Sequence, residues 1–119
     1  MDRRVKLVIS KIEDDPARYQ SSKLASLVNL SPSRLRHLFK QETGLTPVQY
    51  LKLARLHKAE VLLRTSFLTI KEICNQVGMT SSGYFVREFR KLYGISPTAY
   101  RQRNGLTNNR SQNKPREKA

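Results

Sequence analysis

Apolar residues recur at helical spacing along this chain, and the pattern predicts an all-α fold. The first set has the spacing i, i+3, i+4, i+7 and consists of Val5, Val8, Ile9 and Ile12. Such a stripe is typical of one face of an amphipathic helix. We therefore predict a helix over residues 2–14 that ends before Pro16, because the residue preceding a proline avoids the helical region.

A later stretch of the chain occurs twice. The segment SPSRLRHLFKQETGLTPVQY, residues 31–50, returns fifty residues later as SSGYFVREFRKLYGISPTAY, residues 81–100. From Phe39 and Phe89 onward, the Phe, Gly, Pro and Tyr positions are identical in the two copies. An internal repeat indicates two copies of one structural unit.

Each copy predicts a helix with one apolar and one polar face. In the first copy Ser31 is a good N-cap, and Gly44 can adopt the left-handed turn that ends a helix. The apolar stripes are Leu35, Leu38 and Phe39 in the first copy and Phe85, Phe89 and Leu92 in the second. The outward faces are Ser33, Arg36, His37 and Lys40 in the first and Ser82, Val86, Arg87 and Arg90 in the second. One such face could simply be solvated, but two acid-free faces of one design favour a nucleic-acid partner.

A second, shorter helix is expected before each copy. In the first unit, Ser21 or Ser22 is expected to cap a helix that runs to about Val28, and Asn29 tolerates a left-handed turn. In the second unit, Thr69 and Glu72 have the spacing of a capping box. A short helix, a tight turn and a second helix form a helix-turn-helix, whose second helix enters the major groove of DNA.

The two units differ in length by one residue. The pair Leu24-Ala25 matches Ile73-Cys74 at a separation of 49, whereas Phe39 and Phe89 are 50 apart. The second unit therefore has one extra residue between its two helices. A long helix from Thr46-Pro47 to about Arg64 is predicted between the units, and Ser96-Pro97 begins a last short helix.

Composition points to a polyanionic partner. The 119 residues suit one domain or two very small ones, and 23 Lys+Arg against 9 Asp+Glu give a net charge of +14. Such a balance favours fast, salt-sensitive association with nucleic acid. No apolar run reaches the roughly 18 residues of a membrane span, and no signal-peptide pattern is present, so we expect a cytoplasmic, nucleoid-associated protein. The single Cys74 excludes an intramolecular disulfide and a multi-cysteine metal site.

These residues carry a family resemblance. Besides Leu24-Ala25, Ile73-Cys74 and GLTPVQY, the string VGMTSSGYFVREFRKLYGISPTAYR, residues 77–101, is long and specific. Over about residues 3–103 the chain resembles the DNA-binding domain of the bacterial AraC/XylS-type transcription regulators. The resemblance implies seven helices in two helix-turn-helix subdomains joined by a long linker helix, with double-stranded DNA as ligand and transcription control, most often activation, as the role.

Domain bounds and site residues follow from that resemblance. We expect a first subdomain at 1–44, a linker helix at 45–65, a second subdomain at 66–103 and a disordered basic tail at 104–119. Base contacts carry over to Ser33, Arg36, His37, Ser82, Val86 and Arg87. Contacts to the DNA backbone carry over to Lys40, Thr46 and Arg90.

The chemistry of the arginines favours base reading. Arg36 and Arg87 could each grip a guanine through O6 and N7, although contact with phosphate alone is the competing interpretation. Val86 could pack on a thymine methyl group or have no role. Gly83, Val86 and Glu88 depart from the family pattern, so the second helix is expected to read bases less richly than the first.

The spacing of the two helices has a consequence for the DNA site. Recognition helices of helix-turn-helix dimers lie ~34 Å apart, and an eighteen-residue linker helix is roughly 27 Å long. One chain could thus read two successive major-groove segments without dimerising. The site would be non-palindromic and about 15–20 base pairs long. We expect a monomeric domain, any dimerisation to use a missing domain, and contact with RNA polymerase.

Other functions fit less well. An RNA-binding basic helical module is the main alternative, but the aromatic residues lie mainly at core spacing. DNA-repair methyltransferases can carry a similar domain but need more cysteines than Cys74. A membrane-surface role is weaker still. No catalytic set, cofactor or metal is expected. The chain is expected to be either a C-terminal fragment or a short stand-alone regulator.

Overall fold

A computed structural model of the protein describes residues 1–105. The α-helices are α1 (Arg3–Asp14), α2 (Pro32–Thr43), α3 (Pro47–Thr65), α4 (Ile70–Gln76), α5 (Ser82–Tyr93) and α6 (Pro97–Asn104). Two short 3₁₀ helices, Ser21–Lys23 and Ala25–Val28, adjoin one another between α1 and α2. Counted together, they give the seven helical elements expected, and the all-α prediction is confirmed.

The chain divides into two compact units, Met1–His57 and a second that begins at Lys58. The division falls inside α3, so the N-terminal part of that helix belongs to the first unit and the C-terminal part to the second. Of the residues assigned to a tail, Asn104 is the last residue of α6. The others beyond Gly105 lie outside the described residues.

The first unit packs α1, the 3₁₀ segment, α2 and the start of α3 around one core. Its buried residues are Val5, Val8, Ile12, Leu24, Ala25, Leu35, Phe39 and Leu51. The stripe predicted on α1 is therefore correct at three positions, and Ile9 is half-buried. Burying these side chains is the main stabilising term for so small a unit.

The second unit repeats the arrangement with the end of α3, α4, α5 and α6. Its buried hydrophobic residues include Ala59, Leu63, Ile73, Cys74, Val77, Met79, Phe85 and Phe89. The prediction that Leu92 belongs to the apolar stripe is wrong, since this residue is 46% exposed. Tyr93 takes the inner position instead, with its ring 4.5 Å from that of Phe89. The first copy has Glu42 at the position that corresponds to Leu92, and Glu42 is exposed as well.

The helix predicted after Ser21 or Ser22 is also corrected. The segment is 3₁₀ rather than α-helical, and its N-cap is Gln20, which forms no side-chain capping bond. The Ser26 hydroxyl instead donates to the carbonyl of Lys23 at 2.7 Å. Serine side chains that bind nearby backbone compete with α-helical hydrogen bonding, and a run this short is suited to 3₁₀ geometry.

The turns before α2 and α5 have one geometry. Asn29 (φ 57°) and Gly78 (φ 86°) are both left-handed. The next amide in each turn donates back across it: Leu30 N–H to Ala25 O at 3.1 Å, and Met79 N–H to Cys74 O at 3.0 Å. The turns thus superimpose up to Leu30 and Met79, and the extra residue of the second unit is Thr80.

Candidate nucleic-acid interface

The outward face of α2 is set by its two ends. The Ser31 hydroxyl accepts the N–H of Arg34 at 3.1 Å, and Gly44 ends the helix at φ 83°. Leu35 and Phe39 are buried against the core. The opposite face must therefore point to solvent, and Ser33, Arg36, His37 and Lys40 are all exposed.

These side chains share one open depression of about 530 Å³. It is lined by Ser33, Arg36, His37, Lys40, Gln41 and Thr46. The structure therefore brings together all five first-unit residues predicted to contact DNA. No carboxylate is among the lining residues, so the surface offers donors and positive charge to an anionic ligand.

Gln41 is the lining residue that the sequence reasoning missed. It follows His37 by four residues and Ser33 by eight, so it continues the same helical face. That spacing could have identified it. A glutamine amide can both donate and accept, which is the chemistry that pairs with adenine in a major groove.

Thr46 caps α3 through a reciprocal pair of bonds with Gln49. The Thr46 hydroxyl accepts the N–H of Gln49 at 3.2 Å, and the Gln49 amide oxygen accepts the N–H of Thr46 at 3.0 Å. The backbone N–H of Thr46 is thus already occupied by a partner. What Thr46 can offer a phosphate is the proton of its hydroxyl.

The corresponding helix of the second unit, α5, has the same ends. Ser81 accepts the N–H of Tyr84 at 3.2 Å, and Gly94 ends the helix at φ 88°. Of the predicted contact residues on α5, Ser82, Arg87 and Arg90 are exposed, and Val86 is half-buried.

The two outward faces differ in chemistry once the repeat is aligned. Positions 33, 36, 37 and 40 of α2 correspond to positions 83, 86, 87 and 90 of α5. Val86 therefore stands where the first unit has Arg36, and Arg87 stands where it has His37. A Cβ added at Gly83 would meet only the Ser81 hydroxyl, at 3.8 Å, so open space surrounds this residue.

Arg87 is held by its own helix. Its guanidinium carbon lies 5.5 Å from the centre of the Tyr84 ring, and its Nε lies 3.8 Å from a carboxylate oxygen of Glu88. The same oxygen is 3.4 Å from Nζ of Lys91. Within residues 1–105, by contrast, the Arg36 side chain forms no hydrogen bond, ion pair or ring contact.

Each unit also contains a hydrogen bond between a tyrosine and a glutamate that are far apart in the sequence. The Tyr50 hydroxyl donates to Glu13 at 2.6 Å, and the Tyr100 hydroxyl donates to Glu60. Burial, helped by the bond to Glu13, raises the pKa of Tyr50 to about 12. The bond to Glu60, helped by burial, raises the pKa of Tyr100 above its usual value.

Each unit also contains an arginine that donates to two backbone carbonyls distant in the sequence. Arg55 donates to the carbonyls of Pro16 and Tyr19 at 2.9 and 2.7 Å. Arg101 donates to the carbonyls of Leu63 and Ser66, both at 3.2 Å. In the first unit α3 thus binds the loop after α1, and in the second unit α6 binds the last turn of α3 and the residue that follows it.

Other chemistry is limited in the described part of the chain. No group of three or more His, Cys, Asp or Glu could hold a metal ion among the residues described. The helices up to Gly105 include none of the length and apolarity that a bilayer crossing requires. Cys74 is buried, with its thiol donating to the carbonyl of Met79 at 3.1 Å.

Comparison with known proteins agrees with this geometry. A family model described as a helix-turn-helix domain matches residues 24–103. The chain belongs to the AraC/XylS-type family of helix-turn-helix domains. It is 36% identical over 103 residues to the arabinose operon regulatory protein of Escherichia coli, covering 85% of this chain and 35% of that protein.

Two further matches extend the comparison. The HTH-type transcriptional activator RhaR of Pectobacterium carotovorum is 43% identical over 75 residues, covering 63% of this chain and 26% of that protein. The crystal structure of the DNA-binding domain of AdpA, in complex with a target DNA, matches with a TM-score of 0.79 and 26% identity, covering 86% of this chain and 93% of that one. The chain thus spans about a quarter to a third of the length of the two curated relatives.

Proposed function

We propose that this AraC/XylS-type domain binds double-stranded DNA sequence-specifically and thereby regulates transcription. The observation that carries the proposal is the depression on α2, where Ser33, Arg36, His37, Lys40 and Thr46 converge without a carboxylate. A surface of this kind combines groups that read base edges with groups that bind phosphate, which is what a recognition helix needs. A net charge of +14 adds long-range attraction to a polyanion.

Each unit is proposed to place one helix, α2 or α5, in the major groove. In the first unit Ser33, Arg36 and His37 would face the bases, while Lys40 and Thr46 bind the backbone. In the second unit Ser82, Val86 and Arg87 would face the bases, and Arg90 would bind the backbone. The continuous α3, 19 residues long, joins the units and suits a non-palindromic site of about 15–20 base pairs.

The wider role is proposed from the relatives. One is named a transcriptional activator, and another was solved on its target DNA. By analogy we propose activation, with the domain monomeric on DNA, in contact with RNA polymerase, in the bacterial cytoplasm at the nucleoid. The relatives are transcription regulators rather than enzymes, and none of them favours the RNA-binding alternative.

Selection from a pool of random duplexes tests the proposal. Several rounds should yield one asymmetric consensus, bound at least ~10³-fold more tightly than scrambled duplex at the same salt concentration. An RNA duplex of the same sequence serves as the competitor. Failure to enrich any consensus, or stronger competition by the RNA, would contradict the proposal.

Two variants separate base reading from phosphate binding. Arg36→Ala should cost ~1–3 kcal/mol on the selected duplex and relax the preference at one base pair. Lys40→Ala should weaken selected and scrambled DNA alike and reduce the salt slope by about one unit. Equal losses on both DNAs for both variants would count against the assignment.

A further inference from the structure

The side chains on one stripe of α5 form a connected cluster, of which the base-contact assignment uses only Arg87. Tyr84, Arg87, Glu88 and Lys91 follow one another at i, i+3, i+4 and i+7. Three contacts join them: the Arg87 guanidinium lies over the Tyr84 ring, and Glu88 pairs with both Arg87 and Lys91. We define these four residues as the α5 cluster.

The α5 cluster restricts Arg87 while leaving it accessible. The Arg87 side chain is 63% exposed, and Tyr84 is 39% exposed although it is an aromatic residue on a charged helix. The ring supports the guanidinium plane from one side, and the Glu88 carboxylate attracts its Nε. The two terminal nitrogens are the donors that remain, and their fork matches the O6 and N7 acceptors of guanine.

The first unit has no equivalent. The positions that correspond to Tyr84, Arg87, Glu88 and Lys91 are Arg34, His37, Leu38 and Gln41. No aromatic ring supports Arg36, whose side chain forms no hydrogen bond or ion pair within residues 1–105. The long arginine side chain loses much rotamer freedom when it is fixed on a base, and a ring that fixes it beforehand reduces that loss.

We propose that Tyr84 is a positioning residue for the second recognition helix, holding Arg87 in the orientation in which it reads one base pair. The inference rests on the proposed function, because it assumes that α5 lies in a major groove. It adds a specificity-determining residue that is not itself a base contact. It also explains how a helix with Gly83 and Val86 on its outward face could still discriminate between sequences, since one reader held rigidly compensates for the few readers present.

The test compares Tyr84→Leu with Tyr84→Phe, which keeps the ring and serves as the matched control. Dissociation constants are measured on the selected duplex and on duplexes changed singly at the base pairs assigned to Arg87 and Arg36. Tyr84→Leu should weaken binding to the selected duplex about two- to fivefold, the range expected for an exposed cation–π contact. Discrimination should fall at the Arg87 base pair only, and Tyr84→Phe should match wild type. Tyr84→Met provides a second ring-free variant in case the leucine variant does not fold.

A double-mutant cycle with Arg87→Ala completes the experiment. In the Arg87→Ala background, Tyr84→Leu should have no further effect, because the ring then has nothing to hold. An undiminished loss in that background, an equal loss in Tyr84→Phe, or no loss in Tyr84→Leu would each overturn the proposal. These results leave the proposed function standing, provided wild type binds the selected duplex. A wild-type domain that selects no duplex would overturn both.

Discussion

The two units of this domain share a structural frame, namely their helix caps and core packing, and they differ in the side chains exposed on the outward helix faces. In each unit a serine begins the recognition helix, a left-handed glycine ends it, and a phenylalanine in it packs on a tyrosine beyond it. The Phe39–Tyr50 and Phe89–Tyr100 pairs are both edge-on, with ring centres 5.5 Å apart. Such agreement indicates that the frame is fixed by packing, which tolerates little variation.

The outward faces of α2 and α5 are exposed, so core packing does not restrict which side chains they carry. The first unit presents Ser33, Arg36 and His37, and the Arg36 side chain forms no hydrogen bond, ion pair or ring contact in the described chain. The second presents Gly83 and Val86, with Arg87 held by Tyr84 and Glu88. We propose that the first unit gains specificity from several base-reading side chains without such contacts, and the second from one that is positioned in advance.

The frame itself is not equally buried in the two units, and this predicts the largest difference in stability. Glu60 is 7% exposed, whereas Glu13 is exposed. Tyr100→Phe removes a hydrogen bond to a buried carboxylate and should lower the free energy of unfolding by ~1–3 kcal/mol. Tyr50→Phe, the matched variant, should cost less than about 1 kcal/mol, since water can replace the lost bond. Urea unfolding of both variants measures the difference, and equal losses would show that burial does not separate the units.

The left-handed turns give the next effect. Gly78→Ala puts a Cβ at φ 86° and should cost ~1–2 kcal/mol. Asn29→Gly at the equivalent position of the first unit, at φ 57°, should be neutral or slightly stabilising, because glycine adopts this region without penalty. Thermal unfolding followed by circular dichroism compares the two variants. A neutral Gly78→Ala would mean that the turn can relax.

A substitution at Gly83 should have a smaller effect, and it should increase stability rather than lower it. It lies in the first turn of α5, with open space where a Cβ would be. Gly83→Ala should therefore stabilise the domain by about 0.5 kcal/mol through lower chain entropy in the unfolded state. Gly44→Ala is the control: it also has open space, but its φ of 83° should make the substitution destabilising. Destabilisation by both variants would indicate that α5 does not tolerate a side chain at this position.

The last expected difference has no effect at neutral pH and appears only as a dependence of stability on alkaline pH. The pKa of Tyr50 in the folded chain is raised from 10.0 to about 12, so the neutral hydroxyl is favoured by folding. Its contribution is complete below about pH 10 and is lost as the pH rises towards 12. Denaturant midpoints measured across that range should fall more steeply for wild type than for Tyr50→Phe. Parallel curves for the two proteins would contradict this.

Much of the fold could be predicted because it depends on local patterns. Helical spacing identified α1, the buried face of α2 and two of the three apolar positions on α5, and the caps at Ser31 and Thr69 follow from their residue types. The 3₁₀ form of Ser21–Val28 could not be predicted, since it depends on a competition between serine and backbone hydrogen bonds that differs little in energy.

The candidate site likewise has features that could be predicted from the sequence and features that could not. The outward face of α2 followed from spacing, and Gln41 could have been added by extending it. The contacts of Tyr84 and Glu88 with Arg87 were missed because they depend on rotamers rather than on position in the helix. Glu60 was missed for another reason. A buried glutamate is unexpected until its partners are known: Tyr100, forty residues away, and Arg64, one helical turn away, both donate to its carboxylate.

The central claim is that two unlike helices read one duplex, and mapping base-pair preferences of two variants tests it most directly. Every position of the selected duplex is changed in turn, and the binding affinities of wild type, Arg36→Ala and Arg87→Ala are measured on each. We predict that Arg36→Ala loses preference at one base pair and Arg87→Ala at another, about one helical turn, or ~10 base pairs, away. Loss of preference at the same base pair for both variants, or at none for either, would contradict the account.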